Sequence, residues 1–595
     1  MSIIPELLTL IFVLASLLVM LVLGWAAWRH RNPPAIGADS TLEELKEFGP
    51  SATNLWLRGL RVFFMLLILT VLAFHSYWVF RADSNENFTR AKRLDARNRR
   101  LAESGLKGWI LDRSGKLENA LVRYRSDAGV ISREYPLGPS GVHLTGYSDF
   151  IFGSGGMEFA FRDWLTEPAS IKNQILSSNP VGKDLQVSID INLQREAANL
   201  LANQGKGAAA VVLLLPNNEV LAMASAPTFE PRSINDESTW RRISEEAERA
   251  PLISPLVNRA LGTLVTGGPA FYYRPGSTFK TFIAAVALDT GVMNETFVCK
   301  EEGFLPPGSG RPIRDFGGHV HGALGLQDAF KESCNQYFSQ LGLKLGRERL
   351  ENYARRLGYV TSPNDNTRRD LDLWQVLHGD RDDYNNIFAP PAHRLDLSSK
   401  ATPYDIALQS IGQGFCDQTV LGMALLASVA ANPDGSVVSP TFEVNAQRNV
   451  AGPFITPQSA AQLRGLMRSV VEGGTASGAM AHLAGRLTSG GKTGTADRDV
   501  PVYDSKGKPV VDRVDKDGRT YYKTQGWTDS WYIGFAPADK PVIAFAVVVE
   551  NGGEGSRAAA PIAAKLMEKA ASLGYLGLAR PAPGAPRDGG RARPR

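Results

Sequence analysis

The chain has 595 residues, a hydrophobic content of 44%, a charged content of 21% and a net charge of +5. That length predicts two or three folded units, and the composition is typical of a globular protein. The positive charge is local: residues 81–100 carry seven basic and three acidic residues, and the segment from Arg580 onward carries five and one. No continuous basic face for nucleic acid is predicted, so we expect no nucleic-acid partner.

Two uncharged runs near the N-terminus are long enough to cross a bilayer. Leu7–Trp28 has 22 residues, about 33 Å as a helix, and Val62–Phe80 has 19. Buried core helices are the alternative, but runs of this length are typical of membrane spans. We therefore predict transmembrane helices over residues 7–28 and 62–80, joined by a linker at 29–61.

The distribution of Lys and Arg predicts the orientation of these spans. The linker contains five basic residues, whereas no Lys or Arg precedes the first span. This bias places the linker in the cytoplasm and the large C-terminal part outside. The basic residues after Phe80 favour the opposite orientation, but long domains cross the membrane largely regardless of charge.

The rest of the chain alternates between strand and helix patterns. An apolar run at 207–224 with a turn at Pro216–Asn218 predicts a β-hairpin. The other elements that we predict are helices over 277–288, 457–471 and 558–572, and strands at Lys492, 531–536 and 541–550. This pattern indicates a mixed α/β fold, with an antiparallel sheet flanked by helices. We expect domains at 81–205 and 206–577, and a disordered tail at 578–595 that is rich in Pro, Gly and Arg.

Two polar insertions interrupt this pattern, at Thr361–Lys400 and at Asp497–Ser530. The second has 34 residues and directly follows the Lys492 strand. It contains Gly-based turn signals at Lys506–Gly507 and Asp517–Gly518. A solvated loop is the default interpretation, and a lid or docking surface is the alternative.

The cysteines and histidines give weak signals. The three cysteines form no C-x-x-C pair, so we expect buried thiols, although one pair could oxidise if the domain lies outside the cytoplasm. His319 and His321 lie in a Gly-rich loop, and no third ligand has a suitable spacing. We therefore expect no metal site and no cofactor.

Three short motifs carry the chemistry. They are Ser277–Lys280, Ser333–Asn335 and Lys492–Thr495, in that order. S-x-x-K and S-x-N each also occur elsewhere in the chain, but K-T-G occurs once, and this set has all three motifs in order. A serine, a lysine and a polar relay are what acyl transfer through a serine ester requires.

Each residue of the set has a candidate role. Ser277 and Lys280 share a helix face, so Lys280 can remove the serine proton if burial or a nearby cation such as Lys492 lowers its pKa. The helix start supplies one oxyanion donor, the Ser277 N–H, and the strand residue Thr495 supplies a second.

The remaining residues face the substrate. Ser333 can relay a proton to the leaving amine, and Asn335 can hold a substrate amide with both ends of its side chain. Lys492 adds a charge for a terminal carboxylate, and the substrate-binding candidates beside it are Thr493, Gly494 and Thr495. Helix caps and a surface lysine are the structural alternatives for single residues. Their joint occurrence favours the catalytic interpretation.

At these motifs the chain resembles the class B penicillin-binding proteins, over about residues 105–575. Further stretches that carry the resemblance are Lys107–Arg113, Tyr135–Gly138, Ile189–Asp190 with Gln194, Leu221–Ser225, Asn258–Ala260 and Ile411–Gly414. The resemblance implies a pedestal domain at 81–205 and a transpeptidase domain at 206–577. No stretch resembles the glycosyltransferase domain of the bifunctional class.

The resemblance also implies an activity. Ser277 would attack the D-Ala-D-Ala bond of a peptidoglycan stem peptide, and an amine from a second stem peptide would take the acyl group. β-Lactams would acylate the same serine. The partners implied are the bacterial cell membrane, with the catalytic domain on its outer face, and a glycosyltransferase of the shape, elongation, division and sporulation family. A D,D-carboxypeptidase, a β-lactamase and a β-lactam sensor are the alternatives. The second span and the long insertion depart from the family pattern.

Overall fold

The structure is a computed structural model with two compact units, residues 1–99 and 100–595. The residues it describes are 60–61, 63–74, 106–127, 130–149, 153–166, 182–249, 254–266, 272–362, 393–504, 508–514 and 520–577. In the first unit, residues 63–74 are helical and most of their apolar side chains are exposed. Among the described residues, no helix combines the length and apolarity needed to span a bilayer. The predicted span at 7–28, the charged segment at 81–100 and the tail lie outside the described residues.

The N-terminal part of the second unit contains β1 (Ile110–Leu111), β2 (Ala120–Asp127), β3 (Val130–Glu134), α1 (Val142–Thr145), β4 (Ser148–Asp149), β5 (Gly153–Ser154), α2 (Gly156–Ala160), α3 (Arg162–Thr166) and β6 (Leu185–Gln186). Four of these strands form a small sheet in the order β3-β2-β1-β6. A buried ion cluster stabilises this part of the unit. The Glu158 carboxylate accepts hydrogen bonds from Arg133 Nε at 2.7 Å and from Lys107 Nζ at 3.4 Å.

A five-stranded antiparallel sheet forms the centre of the second unit. Its strands are β7 (Ala208–Leu214), β8 (Glu219–Ala226), β17 (Gly490–Pro501), β20 (Thr524–Ala536) and β21 (Ile543–Val549), in the order β17-β20-β21-β7-β8. Every residue of β8 and β21 is buried. Because alternate residues of a strand point to opposite faces, both faces of the sheet are covered. The hairpin predicted at 207–224 is confirmed.

Helices and short strands surround this sheet. They are α4 (Ile191–Ala202), α5 (Glu237–Arg249), β9 (Val257–Asn258), β10 (Thr263–Leu264), α6 (Lys280–Asp289), β11 (Phe297–Cys299), β12 (Gly322–Leu324), α7 (Leu326–Lys331), α8 (Asn335–Leu345), α9 (Arg347–Arg356), β13 (Arg394–Leu395), α10 (Pro403–Gln409), β14 (Cys416–Asp417), α11 (Val420–Ala431), β15 (Ser436–Val438), β16 (Val450–Pro453), α12 (Pro457–Gly473), α13 (Ser477–Met480) and α14 (Ala559–Ser572). The side chain of Thr456 caps α12 by accepting the Ser459 N–H, a position that favours threonine. All residues of α11 are buried, as expected of a helix that is apolar all round.

The insertion after the Lys492 strand is not the solvated loop that the sequence suggested. Strands β17 and β20 pair without a break from Gly490 opposite Phe535 to Pro501 opposite Thr524. Beyond them, β18 (Val511–Val514) pairs with β19 (Thr520–Tyr522). The two predicted turns lie outside the described residues. The loop expectation was wrong because the insertion contains strand-forming Val, Tyr, Thr and Trp residues among its charged ones, and these pair in a partly exposed hairpin.

Candidate active site

The nucleophile candidate lies where a tight turn becomes a helix. Residues Gly276–Phe279 form a 3₁₀ turn that continues into α6, so the helix predicted from Ser277 begins as a more tightly wound turn and becomes α-helical only at Lys280. The N–H of Gly276 donates to Gly412 O at 3.0 Å, and Thr278 Oγ1 donates to Pro275 O at 2.7 Å. These bonds fix the turn, in which Ser277 is partly exposed and Lys280 is fully buried.

Lys280 links the first two motifs. Its Nζ donates to Ser333 O at 2.6 Å and to Asn335 Oδ1 at 2.8 Å, and it lies 3.3 Å from Ser333 Oγ. Burial lowers the pKa of Lys280 to about 8, because the apolar surroundings penalise the ammonium. At pH 7, Lys280 is then neutral in about a tenth of the molecules. The predicted fall in pKa is present, but Lys280 is not largely neutral at that pH.

Lys492 lies on β17 and is also fully buried. Its Nζ donates to Thr493 O at 3.1 Å and lies 5.7 Å from the centre of the Phe330 ring. Burial, and secondly the charge of Lys280, hold the pKa of Lys492 well below its usual value. The sequence suggested Lys492 as the cation that lowers the pKa of Lys280. In the structure, burial lowers the pKa of Lys280, and it is the positive charge of Lys280 that further lowers the pKa of Lys492.

The K-T-G strand packs directly against the nucleophile turn. A Cβ atom on Gly494 would lie 2.8 Å from Thr278 Cγ2 and 2.9 Å from Pro275 O. Gly276, at φ 54°, approaches the carbonyl of Thr495 so closely that a side chain there would overlap it. Two glycines therefore allow the two backbones to touch, which brings the predicted oxyanion donor Thr495 beside Ser277.

The S-x-N segment is a strained turn at the start of α8. Ser333 adopts φ 60°, a left-handed conformation that is uncommon outside glycine. The helix cap is Cys334, whose sulfur accepts the Tyr337 N–H at 3.3 Å, so neither Ser333 nor Asn335 is the cap residue. The Asn335 amide also donates to Arg314 O at 3.0 Å. Both ends of the Asn335 side chain thus have partners, which the sequence did not predict.

One further polar residue contacts the K-T-G motif. The hydroxyls of Thr475 and Thr493 are 2.6 Å apart. Thr475 follows the C-terminal end of α12 and belongs to no recognisable motif. The sequence offered no signal for it beyond the adjacent Gly473–Gly474 helix stop.

The loop that contains His319 and His321 differs from the sequence-based expectation for metal ligands. Ligand atoms of Cys299, Asp315, His321 and Cys334 lie within 4.8 Å of one another. The expectation that no third ligand accompanies the histidines was therefore wrong. His319 is not part of the cluster, and all three cysteines are buried free thiols, as predicted.

Taken together, the three motifs converge on one partly exposed hydroxyl, two buried amines and a polar turn. A family model described as "Penicillin binding protein transpeptidase domain" matches residues 208–568, more than half of the chain. The chain belongs to this family. The predicted mixed α/β transpeptidase fold is confirmed, and the pedestal domain and the two membrane spans remain predictions.

Curated relatives agree with the assignment. The peptidoglycan D,D-transpeptidase PbpA of Mycolicibacterium smegmatis is 27% identical over 555 residues, which are 86% of this chain and 97% of that protein. The peptidoglycan D,D-transpeptidase MrdA of Acinetobacter baumannii is 28% identical over 443 residues, 71% of this chain and 59% of that protein.

Solved structures show the same fold. The D,D-transpeptidase domain of a peptidoglycan glycosyltransferase from Eggerthella lenta superposes with a TM-score of 0.59 at 25% identity, covering 79% of this chain and 99% of that one. The ceftriaxone acyl-enzyme complex of penicillin-binding protein A from M. tuberculosis superposes with a TM-score of 0.62 at 23% identity, with the same coverage.

Proposed function

We propose that this protein is a peptidoglycan D,D-transpeptidase that crosslinks stem peptides through an acyl-enzyme on Ser277, and that β-lactams acylate the same hydroxyl. The observation that carries this proposal is the position of Lys280. Its buried amine is bonded to Ser333 and Asn335 and lies one turn from Ser277. The relatives named as D,D-transpeptidases and the β-lactam complex of a structural neighbour support it.

The proposal assigns these residues roles in two half-reactions. In the first, neutral Lys280 accepts the Ser277 proton while Oγ bonds to the carbonyl carbon of the penultimate D-Ala. The N–H groups of Ser277 and Thr495 stabilise the oxyanion, each by about 3 kcal/mol. Ser333 passes a proton to the leaving D-Ala nitrogen, and the peptide bond breaks to leave an ester on Ser277.

The second half-reaction reverses these roles. An acceptor amine attacks the ester carbonyl and gives up its proton through the same Lys280–Ser333 pair, and the Ser277 oxygen leaves with a proton. The new amide is the crosslink. Lys492, Thr493 and Thr495 hold the terminal carboxylate of the donor peptide, whose negative charge favours the protonated form of Lys492. A bound carboxylate would therefore offset the low pKa of the free site.

A transpeptidation assay tests this proposal. The full-length protein is given a D-Ala-D-Ala donor peptide and an amine acceptor, and the products are separated by mass spectrometry. Crosslinked product with release of D-Ala supports transpeptidation. Release of D-Ala with hydrolysed donor only would indicate a carboxypeptidase. Penicillin labelling without either product would indicate a sensor, and rapid penicillin turnover would indicate a β-lactamase.

The location of the enzyme is part of the proposal. Stem peptides lie outside the cytoplasm, so we place residues 106–577 on the outer face of the bacterial cell membrane, with residues 81–205 as the pedestal. The two uncharged runs at 7–28 and 62–80 support this placement. A membrane glycosyltransferase of the shape, elongation, division and sporulation family is the partner we expect. Affinity purification from membranes, followed by mass spectrometry, tests that partnership.

A further inference from the structure

An ion network next to the K-T-G motif has no part in the two half-reactions described above. Its centre is Arg498, which follows Thr495 by three residues on β17. We propose that Arg498 is a positioning residue for acyl transfer, which holds the Thr495 segment of β17 against the nucleophile turn so that the two oxyanion donors keep their spacing. This role rests on the proposed function, because it acts through the acylation of Ser277.

Two carboxylates hold the Arg498 side chain in place. Its Nε lies 2.6 Å from Asp529 Oδ2, on β20, and its Nη2 lies 3.5 Å from Glu550 Oε2, directly after β21. The side chain of Arg498 is 11% exposed, and both carboxylates are buried. A buried carboxylate that loses its cation is strongly destabilised, so the guanidinium is fixed between the two strands.

The same network reaches the segment that leads into the nucleophile turn. The Tyr273 hydroxyl donates to Glu550 Oε1 at 2.7 Å. The guanidinium carbon of Arg498 lies 5.5 Å from the centre of the Tyr273 ring, within the range of a cation–π contact. Arg274 adds a bond from Nη1 to Asp497 O at 3.5 Å. Arg498 and its neighbours therefore tie β17 to the chain just before the nucleophile.

The tightest contact between this strand and the nucleophile turn lies close to Arg498. Gly276 approaches the carbonyl of Thr495 so closely that a side chain there would overlap it. The next strand residue, Ala496, pairs with Asp529 across β17 and β20. A shift of this segment would move the Thr495 N–H away from the oxyanion. Misplacements of about 1 Å can cost about 100-fold in rate.

A purely structural role for the ion pair is the alternative, and the chain offers a matched control. Arg133 Nε lies 2.7 Å from Glu158 Oε1, and the two side chains are 10% and 0% exposed. The pair thus resembles that of Arg498 and Asp529 in distance and burial. Arg133 lies on β3, in the small N-terminal sheet and not in the sheet that contains the K-T-G strand.

Acylation kinetics of full-length variants with a fluorescent penicillin test the proposal. Arg498→Met should lower the acylation rate constant about 10- to 100-fold and leave the dissociation constant of the non-covalent complex within about threefold. Arg498→Lys keeps the charge but not the two-sided guanidinium, so its rate constant should be intermediate. Arg133→Met should stay within about twofold of the wild type, because the site is independent of the K-T-G strand. All rates are measured at a temperature at which circular dichroism shows each protein to be folded.

The charge of Asp529 gives a second measurement. Burial raises the pKa of Asp529 to about 6, although the charge of Arg498 opposes this rise. The other ionisable groups of the network are Glu550, Arg259 and Tyr273. Asp529→Asn should acylate about tenfold more slowly than the wild type at pH 8. The ratio of the two rates should approach one at about pH 5, because protonated Asp529 is also uncharged.

Three results would overturn the proposal. They are a wild-type rate constant in Arg498→Met, an equal loss in Arg133→Met, and a ratio between the wild type and Asp529→Asn that stays constant from pH 8 to pH 5. If Arg498→Met does not fold, Arg498→Lys and Asp529→Asn decide the question. Failure of the proposed function would appear as a wild-type protein that is not labelled, whereas failure of this inference would appear as equal rates among labelled proteins.

Discussion

Lys280 and Ser333 are 53 positions apart in the chain, yet Lys280 Nζ donates to Ser333 O at 2.6 Å. The contact joins the buried start of α6 to the turn before α8. It holds the amine of Lys280, which follows Ser277 by three residues, against the turn that we propose relays protons. Lys280→Gln should therefore slow acylation by a β-lactam about 100- to 10,000-fold, the usual contribution of a general base. Stopped-flow labelling with a fluorescent penicillin measures this rate.

The matched control for that variant is Lys344→Gln. Lys344 lies on α8, with a side chain that is 55% exposed and paired with Glu295. Its loss should leave the acylation rate within about twofold, because exposed ion pairs contribute little. Equal effects of the two substitutions would contradict the role of Lys280.

The pH dependence of acylation follows from the same amine. Lys280 accepts a proton only when neutral, and its pKa is lowered to about 8. The neutral fraction is about a tenth at pH 7 and half at pH 8, so the rate should rise with pH and level off above about 9. A rate measured from pH 6 to 10 checks this. A profile that is already flat at pH 7 would mean that another group removes the proton.

The close packing of the K-T-G strand gives a steric prediction. Gly494→Ala would place a Cβ 2.8 Å from Thr278 Cγ2, so the strand must move away from the nucleophile turn. We expect acylation to fall at least tenfold while circular dichroism stays unchanged. Gly526→Ala on β20 is the control, because a Cβ there meets no atom within 4 Å. Full activity of Gly494→Ala would show that the close approach is not needed.

A buried charge network includes Tyr273, which lies three residues before the nucleophile turn that begins at Gly276. Glu550 accepts Arg259 Nε at 3.0 Å and the Tyr273 hydroxyl at 2.7 Å. Arg259→Met would leave Glu550 with less compensation and should lower the free energy of unfolding by about 3 kcal/mol. Arg486→Met, at a 63% exposed side chain, should change it by less than about 1 kcal/mol. Thermal unfolding of both variants measures the difference, and equal midpoints would refute it.

The sequence predicted the parts of this site that local pattern determines. The hairpin of β7 and β8 follows from an apolar run with a turn, and the three motifs were recognisable because they occur together in one order. Lys280 and Lys492 were both identified from the sequence. The sequence suggested that Lys492 lowers the pKa of Lys280, whereas in the structure the charge of Lys280 lowers the pKa of Lys492. The pKa of a buried amine depends on desolvation, which only the packed structure reveals.

Other features depend on long-range packing and left no local signal. The ligand atoms of Cys299, Asp315 and His321 meet because the loop between β11 and β12 folds against the start of α8. No spacing rule relates them. Likewise, Thr475 reaches Thr493 only because α12 ends beside β17. The domain boundaries, and the membrane spans outside the described residues, remain predictions.

Identification of the acylated residue tests the central claim most directly. Wild-type protein is incubated with penicillin, digested and analysed by peptide mass spectrometry, with Ser277→Ala treated in parallel. We predict one stable adduct, on the peptide that contains Ser277, and no adduct in the variant, which should unfold at the same temperature as the wild type. An adduct on another residue, or an undiminished adduct in Ser277→Ala, would contradict the account.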